Sequence, residues 1–335
     1  MIELRNDGLV FSFPRLGQKA RCTIEFERTL RIPDTGQVYG LPPGLGHFPL
    51  RHLDDLAGLP AAWAARGGVA MPMWQAEAMW ISFYGDDNED APFAVKIAAG
   101  KINAVTGEPW REGLSRDPQD YVVLPDQPWL DGFSVAKGEV RQFVAMRLGQ
   151  GFSAEEQVTG AAQHGGLQIA VTPLTADAYA RWVEEQRQKA RIELEEGVRR
   201  FYRADESESG AMGLAPGGRM RQHIYPDRRP LADWDIAATR RVFVTLLDAV
   251  TWRQAAGAPP PFRPPTAADY ADAGLPWFDW YGEDAAALGG AKVLAGLKSV
   301  GQLGGLAVPD EDFSGEPRIA LGPRAPRPVR EPAGL

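Results

Sequence analysis

The chain has 335 residues, 44% of them hydrophobic and 10% aromatic, enough for a sizeable core in one large unit or two ordinary ones. Its formal net charge of -8 with mixed charges argues against nucleic acid as a partner, and the lone Cys22 excludes an intramolecular disulfide or a cysteine-based metal cluster. No apolar run reaches the roughly 18 residues that a membrane-spanning helix needs.

The opening Met1-Ile-Glu-Leu-Arg has no basic region followed by a long apolar run, so a cytoplasmic protein is expected. Asn6-Asp7-Gly8 lies between apolar alternations and predicts a hairpin, because these residues tolerate positive φ. From Cys22 onward, Ile24, Phe26 and Leu30 alternate with charged neighbours, although Arg28 interrupts the series. That pattern predicts an antiparallel strand with one wet face. Asp34-Thr-Gly36 turns the chain, and Leu41-Pro-Pro-Gly-Leu-Gly46 holds too much proline for a helix or a central strand.

His47, His52, Asp54 and Asp55 form the densest group of metal-ligand residue types. The two histidines are five apart with Pro49 between them, so no helical face presents them at i, i+4. No metal site is therefore expected. Residues 52–55 read instead as the start of a helix running towards Trp63, with the two aspartates at its N-terminal dipole.

Met71, Met73, Trp74, Met79 and Trp80 read as core or as the lining of an apolar pocket, with Gln75 and Glu77 at alternate positions. The run Asp86-Asp-Asn-Glu-Asp90 is a charged loop without the ligand spacing of a calcium-binding loop. Residues 93–105 predict two strands joined near Gly100, or one strand broken there. Lys96 within them is either a buried amine or a lysine snorkelling from an edge. Gly100-Lys101 lacks the upstream glycine of a phosphate loop and is followed by Ile102.

The most ordered stretch runs from Phe133 to Arg203. Residues 133–136 and 140–146 flank Lys137-Gly138-Glu139 as a hairpin, and Ser153-Ala-Glu-Glu156 has capping-box spacing. Leu167 to Val171 is expected as a further antiparallel strand beside that hairpin. Residues 175–203 are expected as one long helix packed on the sheet through Tyr179, Trp182 and Val183. Arg141, Glu155, Glu156 and His164, with Gln142, Gln157 and Gln168 close in sequence, are the candidate acid–base set. The same residues also read as a structural polar network. A linker at residues 205–210 either separates two lobes near 205–215 or lies within one folding unit, and the single unit is preferred. After it, Gly217, Gly218, Arg219 and Arg221 are a candidate ligand-binding nest for a carboxylate or phosphate, or an ordinary turn before a strand.

Val242-Phe-Val-Thr-Leu-Leu247 is a strand or a helix start, and Pro259-Pro-Pro-Phe-Arg-Pro-Pro265 is a stiff connector. Thr266 to Asp269 opens a short helix, Trp277-Phe-Asp-Trp-Tyr281 is an aromatic loop, and residues 309–335 form a proline-rich extended or disordered tail. The expected fold is α+β: a mainly antiparallel β-sheet with one long helix, several short helices and many irregular Pro/Gly-rich connections, residues 1–308 forming one globular unit. No nucleophile elbow, zinc-protease motif, Walker loop or dinucleotide fingerprint is present. The function expected is a non-catalytic binding or scaffolding module using aromatic and arginine-bearing surface, with a protein or a small anionic molecule as partner. The alternative is a metal-independent enzyme using Glu, His and Arg on a small polar or anionic substrate. No cofactor is expected.

Overall fold

The computed structural model describes residues 1–18, 20–85, 91–196, 213–265, 287–304 and 325–332. The expected charged loop at 86–90, the linker at 205–210, the helix start at 266–269, the aromatic run at 277–281 and most of the tail lie outside them.

Two hairpins form where local chemistry demands them. Asn6 and Asp7 adopt φ of +47° and +62° and join β1 (Ile2–Arg5) to β2 (Gly8–Ser12). The chain continues through β3 (Arg21–Thr29), β4 (Val38–Tyr39), β5 (Arg51–His52), α1 (Ala61–Arg66), β6 (Val69–Pro72) and β7 (Ala78–Tyr84). Next come β8 (Phe93–Ala99), β9 (Ile102–Asn103), β10 (Val122–Leu124), β11 (Trp129–Leu130), β12 (Gly132–Ala136) and β13 (Glu139–Met146). Gly138, at φ +74°, makes the second hairpin from β12 and β13. The remaining elements are α2 (Ala154–Thr159), β14 (Leu167–Pro173), α3 (Ala176–Glu196), β15 (Gly213–Arg221), β16 (Arg240–Leu247), α4 (Ala249–Ala256), α5 (Lys292–Ala295) and β17 (Arg327–Pro328).

The strands build two sheets rather than one. The larger runs β17-β1-β2-β3-β7-β13-β15-β4, with β11 on β7 and β12 on β13. The smaller runs β10-β8-β14-β16-β6-β5, with β9 on β8. Both are mixed, because β4 pairs parallel to β15 and β6 pairs parallel to β16. Ile24, Phe26, Met79 and Ile81 from the larger sheet meet Ile97, Ile169 and Val244 from the smaller in one buried apolar cluster. Sheet faces, not a helix, therefore enclose the core.

This corrects the α+β expectation. Among the described residues the protein is mostly β-sheet, with about 18% helix, and no long helix organises it. The helical pattern at 175–203 yields α3 as far as Glu196, residues 197–203 lying outside the described ones, and it docks through a short stretch in which Trp182 is buried while Tyr179 and Val183 are half-buried against the core. The hairpin β12–β13 and the strand β14 also lie in different sheets, so they are not neighbours. The helix expected from His52 towards Trp63 is likewise broken up. His52 ends β5, a single tight turn follows at Leu53–Asp55, and α1 starts only after Pro60. Part of the expected tail is a strand, since β17 completes the edge of β1.

Candidate functional site

Alternation along β3 sends Ile24 and Phe26 into the core and places Thr23, Glu25, Glu27 and Thr29 on the opposite face. That second face is not wet: Glu27 is 3% exposed and Glu25 is also buried. The segment following the Pro42-Pro43 stretch covers it. Arg28 N–H donates to the Gly46 carbonyl, Leu45 N–H to Arg28 and Phe48 N–H to Phe26, each at 2.8 Å. This pairing sets His47 opposite Glu27 in an antiparallel bridge, so both side chains share a face.

His47 Nε2 lies 2.8 Å from Glu27 Oε1 and 3.2 Å from Glu25 Oε2. All three ligand-type atoms fall within 4.8 Å of one another. Glu27 Oε2 is buried and has no hydrogen-bond partner among the described residues. Close packing holds the carboxylates from above. A Cβ on Gly44 would stand 2.6 Å from Glu27 Oε2 and 3.3 Å from Trp80 Cζ2, so a side chain there would push the Glu27 carboxylate aside. Asp7, in the first hairpin turn, accepts from Leu50 N–H at 3.0 Å and anchors the covering segment beyond His47. On the core side of β3, Arg28 forms a buried ion pair with Glu77 at 3.4 Å and stacks on Phe262 at 3.9 Å.

The face continues across the sheet. Glu27 pairs with Trp80 and Glu25 with Ser82 in β7, and Ser82 pairs in turn with Trp129 in β11. Continuing that register brings Asp131 level with Trp80. Among the described residues, Trp80 Nε1 and Ser82 Oγ are buried and lack hydrogen-bond partners. Asp131 is 0% exposed, and burial pushes its carboxyl well above the ordinary range, against a smaller lowering by a hydrogen bond from the Trp129 indole. Trp80 and Trp129 also pack against an apolar group of Ile32, Leu41, Val140 and Met220. Unpaired buried polar atoms are few in folded proteins, so their concentration on one face marks it as a site.

The residues singled out from sequence go elsewhere. The Glu155 carboxylate accepts backbone N–H groups from Gln163, His164 and Gly165 at 2.8–3.0 Å, and therefore holds a loop. Glu156 closes the capping box with Ser153 and also accepts from Gly149 and Gly151 at 2.8 Å. His164 has its imidazole pushed down by burial and by Lys101 and Arg66, against Glu155. Arg141 is not with them: it donates to the Gly217 carbonyl at 3.2 Å and lies 3.8 Å from Asp34. Gly217 and Gly218 are inside β15 rather than in a loop, where Cβ atoms would collide with Val144 and Ile32. Arg219 pairs with Glu139 at 3.3 Å, and Arg221 stands opposite Glu139 in the ladder. Of the His/Asp group, His47 joins β3, while Asp54 and Asp55 pair with Arg330 and Arg327. Lys96 is the buried amine of the two alternatives: it is 2% exposed, 2.5 Å from Asp120.

Glu25, Glu27, Ser82, Trp129 and Asp131 were not among the sequence candidates. The available signal was Glu25 and Glu27 at i, i+2 on a strand, a spacing that presents two carboxylates to one side. Comparison with protein-family models, characterised proteins and solved structures gives no match. No helix among the described residues is long and apolar enough to cross a membrane.

Proposed function

We propose that this chain is a divalent-metal-binding protein that uses His47, Glu27 and Glu25 as ligands. The observation that carries the reading is the Glu27 carboxylate: buried, 2.8 Å from an imidazole nitrogen, and with its second oxygen lacking a donor among the described residues. A buried carboxylate oxygen without a partner is costly, and a cation is one of the few groups that satisfies it. The spacing supports this. Nitrogen and oxygen ligands bound to one ion at about 2.0–2.2 Å stand roughly 3–3.5 Å apart, near the 2.8 and 3.2 Å separations found here.

One imidazole and two carboxylates form a mixed nitrogen–oxygen donor set of the kind that suits zinc, manganese or ferrous iron. Three protein ligands leave an open position on such an ion, as catalytic and ligand-binding centres require and closed structural sites do not. The expectation of no metal rested on the distance between His47 and His52 along the chain, and His52 is not a member of this cluster. Isothermal titration of the chelator-treated protein with Mn(II) and Zn(II) tests the reading. One equivalent should bind the wild-type chain, and Glu27→Gln or His47→Ala should abolish it. Absence of saturable binding of either ion to the folded wild-type protein would end the proposal.

A further inference from the structure

The metal cluster uses only one end of the covered face. Beyond it, the register across three strands makes a grid: Glu25, Ser82 and Trp129 in one row, and Glu27, Trp80 and, by continuation, Asp131 in the next. Among the described residues, Trp80 Nε1 and Ser82 Oγ are buried without a hydrogen-bond partner, while the Trp129 indole N–H faces the buried Asp131 carboxyl group. The indole N–H of Trp80 can only donate, and the Ser82 hydroxyl can donate as well. The grid therefore offers two unused donors side by side.

Such an arrangement asks for acceptors. Unpaired donors scattered through a core would be a packing defect, but these share one sheet face and abut a carboxylate oxygen that is also unpaired. Trp80 and Glu27 both border the same point above Gly44, so the two halves of the face are contiguous. Trp80, Ser82 and Trp129 are only half-buried as residues, and Tyr84, next on the same face of β7, is exposed, which gives the face an open end. Ile32 and Leu41 supply an apolar wall against the two indoles.

We infer that this face binds a small carboxylate-bearing molecule. One carboxylate oxygen reaches the open position of the metal ion, and the remaining acceptors take the N–H group of Trp80 and the hydroxyl of Ser82. The inference rests on the metal reading, because Glu25 and Glu27 would repel an anion unless a dication stood between them. It follows that carboxylate binding requires the metal, while metal binding does not require the carboxylate.

The two readings are measured separately. Each protein is first titrated with Mn(II), and the Mn(II)-loaded protein is then titrated calorimetrically with acetate, pyruvate and malonate. Ser82→Ala and Trp80→Phe should bind Mn(II) as the wild type does and retain its melting temperature to within a few degrees. For at least one of the three carboxylates they should show affinities about tenfold or more below wild type, consistent with loss of a hydrogen bond to a charged group. The metal-free wild type should bind none of the three. Wild-type protein that takes Mn(II) but no carboxylate, or variants whose carboxylate affinity is unchanged, would overturn the inference and leave the metal reading standing. Failure of Mn(II) and Zn(II) to bind the wild type overturns both. A crystal structure of the loaded protein with pyruvate that shows only ordered waters on Trp80 Nε1 and Ser82 Oγ also overturns it.

Discussion

His47 Nε2 and Glu27 Oε1 meet at 2.8 Å across a two-residue bridge, although twenty residues separate them in the chain. The contact depends on the covering segment lying along β3, so metal affinity and the docking of that segment are coupled. Ligand bound only by the folded state stabilises it by mass action, about 2.7 kcal/mol at a roughly hundredfold excess over Kd. Thermal melts with Mn(II) should rise accordingly in the wild type and stay flat in Glu27→Gln. Equal rises in both proteins would show that the ion binds elsewhere.

The ion pair on the other side of the same strand behaves differently. Arg28 and Glu77 are both buried, and Glu77 also accepts from the Trp74 N–H at 3.0 Å. Removing one partner leaves a buried charge, so Glu77→Ala should cost roughly 3–5 kcal/mol in chemical denaturation. The double replacement Arg28→Met with Glu77→Leu should cost clearly less than the two single changes combined. Strict additivity would mean that the pair is not coupled.

Asp131 gives a pH dependence with a defined sign. Its folded carboxyl is raised above the ordinary 3.8 chiefly by burial. Between the two values the unfolded chain has released a proton that the folded chain still holds, so stability falls as pH rises from about 4. Asp131→Asn removes this titration. Its melting temperature relative to wild type should climb as pH increases from about 4 towards neutrality. A constant offset across that window would mean that the folded carboxyl titrates normally.

The strand holding Gly217 and Gly218 separates backbone need from surface charge. A Cβ at Gly218 would stand 2.6 Å from Ile32 Cγ2 and 2.8 Å from two backbone carbonyls, which cannot yield as a side chain can. Gly218→Ala should therefore destabilise by about 1–3 kcal/mol, the range for overpacking. Arg219, half-exposed and paired with Glu139, should tolerate alanine with a change below about 1 kcal/mol. Denaturant midpoints for the two variants check the contrast, and a larger loss for Arg219→Ala reverses it.

Signals spanning a few residues were legible in the sequence. Asn6-Asp7-Gly8, Lys137-Gly138 and the Ser153–Glu156 box each act within one turn, and each forms the structure its chemistry demands. The division into two sheets was not legible. It depends on β7 meeting β3 and β14 meeting β8, and alternation inside a strand says nothing about its neighbour. The site was hidden for the same reason. Helical spacing rules test His47 against His52, whereas the ligands that His47 meets lie on a different strand and become adjacent only through a bridge. The charged alternation of Glu25 and Glu27 suggested solvent, because nothing local announces the segment that covers them.

The pairing of β17 with β1 has a consequence for synthesis. Glu3 and Leu4 stand opposite Pro328 and Arg327, and Val329 N–H donates to the Ile2 carbonyl, so the outer edge of β1 waits until a segment more than about three hundred residues later is made. At roughly 5–20 residues per second, that interval lasts about 16–65 s on the ribosome. Throughout it, β1 presents an open row of amide and carbonyl groups, available to any passing strand. Guarding that row until Arg327 emerges is a task for the translation machinery and its attendant chaperones, and codon usage upstream of residue 327 sets how long the task lasts.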